Sequence, residues 1–159
     1  MVRYRRNREC NGTYFFTVTL RDRRSSLLVE RFCDLQEAWK AAGRRIPHDV
    51  VAAVVLPDHL HAVIAMRDGR DDYSRLWQDI KKGFTLRTRA RRTTQSPWQS
   101  RFWEHTIRDE TDLRAHVDYV HFNPVKHGHV EWASDWPLSS FHRYVRDGLL
   151  PRDWGDAGP

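Results

Sequence analysis

The sequence predicts an α+β fold of the ferredoxin-like type, a split βαβ plan with an antiparallel sheet, helices on one face and an extra C-terminal helix. Segments rich in β-branched and aromatic residues alternate with segments whose apolar residues recur at helical spacing. An aromatic tail at 132–144 follows the last helix. In chain order the elements are β-α-β-β-α-β-α, at residues 13–20, 35–45, 50–56, 59–66, 73–92, 102–108 and 109–123.

The first half of the chain carries four local signals. TYFFTVTL at 13–20 is typical of a strand, and 27–32 is expected to be a short strand or an extended lead-in. Asp34 is the expected N-cap of the helix at 35–45, whose apolar residues form one stripe. VVAAVVL at 50–56 predicts the next strand.

The second half repeats this alternation. HLHAVIAM at 59–66 predicts a strand antiparallel to the preceding one, because Pro57 and Asp58 form the break between them. Residues 73–92 predict a long basic helix, and FWEHTIR at 102–108 predicts the last strand. The final main helix is expected to begin at Asp109 and to stop at Pro124.

Size and composition limit the class of protein. A chain of 159 residues with 40% hydrophobic content fits one globular domain. We expect a basic arm at 1–12, a single domain at 13–150 and a frayed tail at 151–159. No apolar run reaches the roughly 20 residues of a membrane helix, and no signal peptide is visible, so we expect a cytoplasmic protein. Cys10 and Cys33 are expected to be free thiols.

Positive charge is concentrated in one segment. From Arg75 to Arg101 there are eight basic residues and one acidic residue, a net +7, whereas the whole chain carries +6, so the remainder sums to −1. Segregated charge of this kind is typical of a surface that binds a polyanion.

A His-x-His pair stands at the start of the third strand. Because side chains alternate along a strand, His59 and His61 share one face while Leu60 points into the core. Two neutral imidazoles side by side suit a divalent metal ion. A second pair, His127 and His129, flanks a glycine after Pro124 and lacks the strand context.

The last main helix contains a second set of polar residues. His116, Tyr119 and Asn123 are spaced to share one face, whereas His121 points elsewhere. A tyrosine in a helix is usually a core residue, but histidine and asparagine one turn away are unusual in a core stripe. Tyr119 is therefore a candidate to present its hydroxyl beside a metal, with Asn123 as an oxygen ligand.

These motifs together resemble a known family. PDHLH, KKGFT, FWEHTIRDETDL and YVHFNPVKHG, spread between residues 13 and 144, are similar to REP-associated tyrosine transposases of the HUH superfamily of single-tyrosine nucleases. The resemblance implies an HUH nuclease fold with Tyr119 as nucleophile and His59 and His61 as metal ligands. Asn123 stands where the wider group usually has a glutamine as third ligand, and Asp58 where the family usually has asparagine.

The resemblance also implies a reaction and a partner. We expect nicking and strand transfer of single-stranded DNA at REP-type hairpins through a 5′-phosphotyrosine intermediate, with Mg²⁺ or Mn²⁺ as cofactor. The enzyme is expected to act as a monomer rather than a dimer, on DNA of the bacterial nucleoid. Expected DNA contacts are the basic residues Arg3, Arg5, Arg6, Lys81, Lys82, Arg87, Arg89, Arg91, Arg92 and Lys126.

Two alternative functions remain open at this point. One is a hairpin-binding protein whose chemistry is vestigial. The other is a zinc hydrolase that uses both His-x-His pairs, which requires four nitrogens to converge. Trp98 and Trp103 are either base-stacking residues or buried core residues.

Overall fold

The computed structural model describes residues 12–89 and 95–155. Within these residues a four-stranded antiparallel sheet has the order β2-β3-β1-β4. This is the strand order of a split βαβ fold, so the predicted fold class is confirmed. The strands are β1 (Thr13–Thr19), β2 (His48–Val55), β3 (His59–Met66) and β4 (Trp103–Thr106).

Helices connect these strands and complete the fold. In the described part of the chain, no helix is long and apolar enough to span a membrane. The helices are α1 (Leu27–Glu30), α2 (Phe32–Arg45), α3 (Tyr73–Thr88), α4 (Glu110–Lys126) and α5 (Phe141–Arg146), with a 3₁₀ turn at Ala133–Asp135.

The sheet is covered on both faces, so the prediction of helices on one face was wrong. On one face α2 and α3 bury Phe16, Leu60 and Trp77 in the larger core. On the other, α4 packs Leu113 and Val117 against β1, β2 and β3 in a second core. The cause is visible in β3, where every residue is buried, because a strand that is apolar on both faces needs cover on both.

Two boundaries in the first half differ from the prediction. Residues 27–30 form the helix α1, because the Ser26 carbonyl accepts the N–H groups of Val29 and Glu30. Asp34 lies inside the first turn of α2, and the N-cap position is Arg31. The Asp34 carboxylate accepts a hydrogen bond from Arg31 Nε at 2.7 Å, so it pairs with a cation instead of capping the backbone.

Two boundaries in the second half differ as well. Helix α3 ends at Thr88 with Arg89 extended, earlier than predicted, and 90–94 lie outside the described residues. Pro124 lies inside α4 and does not stop it. The missing N–H of Pro124 leaves the next turn intact, since the Asn123 and Pro124 carbonyls still accept the N–H groups of His127 and His129.

The aromatic tail packs back on the sheet along the outer edge of β2. The Leu138 carbonyl accepts the N–H of Val55, and the Tyr144 hydroxyl donates to the Val51 carbonyl at 2.8 Å. These bonds cover an edge strand that is otherwise open to pairing with another chain. Farther on, the Trp154 ring lies 5.8 Å from the ring of Phe141.

Candidate active site

The two histidines of β3 lie side by side under α4. His59 and His61 are both buried, and their ring centroids are 5.0 Å apart. Leu60 points into the core on the opposite face, as alternation along a strand requires. A rigid, fully covered strand therefore fixes the spacing of the two imidazoles.

His61 is held so that one ring nitrogen remains free. Its Nδ1 lies 2.8 Å from Thr17 Oγ1 on the neighbouring strand, while its buried Nε2 has no hydrogen-bond partner among the described residues. Burial and the nearby positive groups lower the pKa of His61 to about 3, so the ring is neutral. A neutral imidazole with a fixed Nδ1 and a free Nε2 is the form that binds a metal.

His59 is oriented by a carboxylate. Its Nδ1 lies 2.8 Å from Asp58 Oδ1, and Arg23 pairs with the other oxygen of the same carboxylate. Burial raises the pKa of Asp58, but hydrogen bonds from Arg23 and His59 outweigh it and hold that pKa below its ordinary value. A carboxylate bound to Nδ1 orients the ring and directs Nε2 away from Asp58, an arrangement common behind metal-binding histidines.

Tyr119 of α4 reaches this pair. Its ring centroid is 5.3 Å from that of His61, so the predicted meeting of imidazole and phenol is present. The tyrosine is 36% exposed, which leaves room for a substrate. Lys126, one of the expected DNA contacts, places its Nζ 4.7 Å from the Tyr119 ring centroid.

Asn123, one turn after Tyr119, has an unusual environment. It is 0% exposed, yet its side-chain Oδ1 and Nδ2 both lack hydrogen-bond partners among the described residues. An unsatisfied buried polar group costs about 1–3 kcal/mol, so it is retained where it serves another partner. Unpartnered atoms on both His61 and Asn123, beside an accessible phenol, fit a site that binds a divalent cation.

The second His-x-His pair lies at the margin of the site. The His127 ring centroid is 5.2 Å from that of His59, but His129 packs on Trp136, also at 5.2 Å. Among the residues that the structure describes, these four histidines do not form a group of converging ligand atoms. The zinc hydrolase interpretation, which needs four converging nitrogens, is therefore wrong.

A different group of ligand-type residues was not predicted from the sequence. His105, Asp112 and His116 place their ligand atoms within 4.8 Å of one another and could hold a metal ion. His105 Nε2 lies 2.8 Å from Asp112 Oδ2, and the two imidazoles stack at 4.6 Å. The i, i+4 spacing of Asp112 and His116 was a visible signal, but the contribution of His105 depends on the β1–β4 register.

The basic residues occupy several places. Helix α3 lies on the face of the sheet opposite to Tyr119, and its Lys82 and Arg87 are exposed, as is Arg89 just after it. Lys81 donates from Nζ to the Gln99 carbonyl at 2.8 Å, and burial lowers its pKa, so it also stabilises the fold. The expected contacts that lie outside the described residues are Arg3, Arg5, Arg6, Arg91 and Arg92.

A well-formed cleft lies away from Tyr119 and the two histidines of β3. The cleft, of about 580 Å³, lies between α2 and the tail, lined by Trp39, His48 and Leu138 among others. The residues that line this cleft do not include His59, His61, Tyr119 or Asn123. Tyr119, which is 36% exposed, lies outside this cleft.

Comparison with known proteins identifies the family. No protein-family model matches the chain. A REP-associated tyrosine transposase of Escherichia coli K12 is 48% identical over 154 residues, covering 97% of this chain and 91% of the relative. A Haemophilus influenzae protein provisionally assigned to the same group is 40% identical over 165 residues, covering 98% and 94%.

A solved structure agrees with this result. It is that of a REP-associated tyrosine transposase bound to a REP hairpin, with a TM-score of 0.85 and 49% identity, covering 90% of this chain and 84% of the other. Sequence identity of 48–49% over at least 90% of the chain shows that it belongs to the same family as these proteins. The chain therefore belongs to the REP-associated tyrosine transposases and is an enzyme of that class.

Proposed function

We propose that this transposase nicks and rejoins single-stranded DNA beside REP-type hairpins through a 5′-phosphotyrosine bond at Tyr119, with Mg²⁺ or Mn²⁺. The observation that carries the proposal is the closeness of Tyr119 to His61, whose ring centroids are 5.3 Å apart. Buried side-chain atoms of His61 and Asn123, which have no hydrogen-bond partner among the described residues, support it. This transesterification needs a nucleophilic hydroxyl beside a bound metal ion, and a phenol next to candidate metal ligands meets that requirement.

His59, His61 and Asn123 are the residues proposed to hold the cation. Two imidazole nitrogens and one amide oxygen leave positions for hard oxygen ligands, which favours Mg²⁺ or Mn²⁺. When bound, the cation would polarise the scissile phosphate and stabilise the charge that develops on it. Thr17 and Asp58 would keep the two rings in the binding orientation through their contacts with Nδ1.

The chemical step exchanges one phosphodiester for another. The Tyr119 oxygen forms a bond to phosphorus and the phenol proton passes to solvent. The bond from phosphorus to the 3′ oxygen breaks, and that oxygen takes up a proton as a free 3′-OH. Attack by a 3′-OH on the phosphotyrosine reverses these changes and joins strands, so no nucleotide cofactor is consumed.

Lys126 supports this step electrostatically. Its ammonium group lies 4.7 Å from the centroid of the Tyr119 ring. A fixed positive charge there stabilises the negative charge that develops on the transferred phosphate. We propose that Lys126 acts at the reacting phosphate, whereas the exposed Lys82, Arg87 and Arg89 bind phosphates of the hairpin stem.

The test is covalent capture of a labelled hairpin. A 3′-labelled oligonucleotide carrying the host's extragenic palindromic repeat with single-stranded flanks is incubated with Mn²⁺ and resolved on a denaturing gel. We expect a labelled protein–DNA adduct that disappears in Tyr119→Phe and with EDTA. Tyr73→Phe, on the other face of the sheet, is the matched control and should form the adduct.

The same experiment separates the alternative function. Tight binding of the hairpin with no adduct in either metal would identify a hairpin-binding protein with vestigial chemistry. An adduct that persists in Tyr119→Phe would assign the nucleophile to another residue. We also expect a monomer to form the adduct, and sedimentation of the protein–hairpin complex checks this oligomeric state. In the cell we expect the enzyme to act on DNA of the nucleoid.

A further inference from the structure

We propose that Trp103 is a stacking platform for a nucleobase of the single strand close to the cut, an inference that rests on the proposed function. Trp103 is 67% exposed, whereas Trp98, the other tryptophan with two possible roles, is 2% exposed and belongs to the core. What sets this exposed indole apart from other surface residues is its place on the face of the sheet that carries His61, close to the proposed cut.

The register of the sheet places Trp103 in line with the histidine pair. Thr17 pairs with His61 on one side and with Trp103 on the other, so the three side chains form one row on one face. With strands about 4.8 Å apart, the Cα atoms of Trp103 and His61 are separated by roughly 10 Å. The hydrogen bond between Thr17 and His61 fixes the middle of this row.

Strand β4 is an edge strand of the sheet, so Trp103 lies at the outer end of this row. Phe102, the residue before Trp103, points to the opposite face, where its ring lies 5.8 Å from Lys81 Nζ and 6.5 Å from the ring of Trp77. The basic helix α3 therefore lies behind the same edge that displays Trp103. A DNA strand that crossed this edge would pass from the face of Tyr119 to the face covered by α3.

The chemistry of the position selects the ligand class. An indole offers a flat apolar surface, and every base has a π face, so stacking tolerates any sequence. A phosphate on the Tyr119 side of the stacked base would be neutralised by Lys126, which lies against the Tyr119 ring. We therefore infer a base-stacking subsite of low sequence preference, distinct from contacts that recognise the hairpin.

The test compares two single strands that differ only in their bases. Fluorescein-labelled dT12 and a 12-mer of abasic residues with the same backbone are titrated by anisotropy at low salt. Trp103→Ala should weaken dT12 binding by roughly tenfold and leave the abasic strand unchanged. Trp103→Phe should retain most of the preference for dT12, and Trp132→Ala, which removes another exposed tryptophan, should alter neither affinity.

Two results would overturn the inference. One is a wild-type protein that binds both strands equally, and the other is a Trp103→Ala variant that keeps the full preference for dT12. Because the titration needs neither metal nor Tyr119 chemistry, its outcome is independent of adduct formation. An intact base preference without an adduct would reject only the proposed reaction, and an adduct without the preference would reject only the stacking subsite.

Discussion

The two His-x-His pairs of this chain have the same spacing and different physical states. His59 and His61 lie on a strand buried along its whole length, and each has its Nδ1 within hydrogen-bond distance of a neighbouring side chain. The second pair flanks Gly128, whose φ of 72° turns the chain after α4, and both of its histidines are exposed. Spacing alone therefore does not define a metal site, because rigid surroundings are needed to aim the ring nitrogens.

The largest expected difference between the pairs is in metal binding. His61→Ala should reduce Mn²⁺ affinity and adduct formation by more than about a hundredfold, because it removes a proposed ligand rather than a residue behind one. His129→Ala is the matched control and should change both by less than about twofold, since its ring packs on Trp136. Calorimetric titration with Mn²⁺ measures the affinity. Equal losses in the two variants would contradict the distinction between the pairs.

The next effect concerns the residues behind the first pair. Thr17→Val keeps the shape of the side chain but removes the hydroxyl beside His61 Nδ1, and should lower Mn²⁺ affinity by about 10- to 100-fold. Thr19→Val is the control, because Thr19 lies opposite His59 without a described side-chain hydrogen bond. If the two variants lost affinity equally, general perturbation of the strand would explain the result.

A smaller effect is expected at the turn of the second pair. At Gly128 a Cβ would meet nothing within 4 Å, so Gly128→Ala pays only for the left-handed backbone, about 1–2 kcal/mol of unfolding free energy. Denaturant unfolding measures this loss. Mn²⁺ affinity should stay at the wild-type value, and a clear fall would indicate that the second pair takes part in the proposed metal site.

The smallest effect is a pH slope from a histidine outside both pairs. His121 is buried against Ser140, and burial lowers its pKa from 6.5 to about 3. The unfolded chain binds a proton at this residue below about pH 6.5 while the folded protein does not, so stability falls as the pH drops from there towards 3. His121→Phe should show a shallower fall than wild type in denaturant unfolding with EDTA present. An unchanged slope would contradict this assignment.

Much of the fold follows from local pattern, and the differences have identifiable causes. The alternation of HLHAVIAM predicted both strand β3 and the shared face of its histidines, because side-chain direction is a local property. Pro124 was misjudged because its cost depends on whether neighbouring carbonyls find other donors, which is a property of the folded turn. The cover on both faces required knowing where α4 packs, and the sequence of α4 does not state its partner.

The candidate site could likewise be predicted within single helices and strands, but not where separate elements meet. Tyr119 and Asn123 share a helix face by spacing alone, whereas the depth at which Asn123 is buried depends on packing against the sheet. The group of His105, Asp112 and His116 combines a strand and a helix that meet only through the β1–β4 register. Sequence spacing therefore identifies residues within one element, and tertiary packing decides which elements share a site.

The most direct test of the central claim is to locate the cation. Crystals of the protein with Mn²⁺ would be measured for anomalous scattering, since the group of His105, Asp112 and His116 could compete with the proposed ligands His59 and His61. We predict a peak within about 2.4 Å of Nε2 of both His59 and His61, beside Tyr119. A peak only at His105, Asp112 and His116, with none between His59 and His61 at saturating Mn²⁺, would contradict the account.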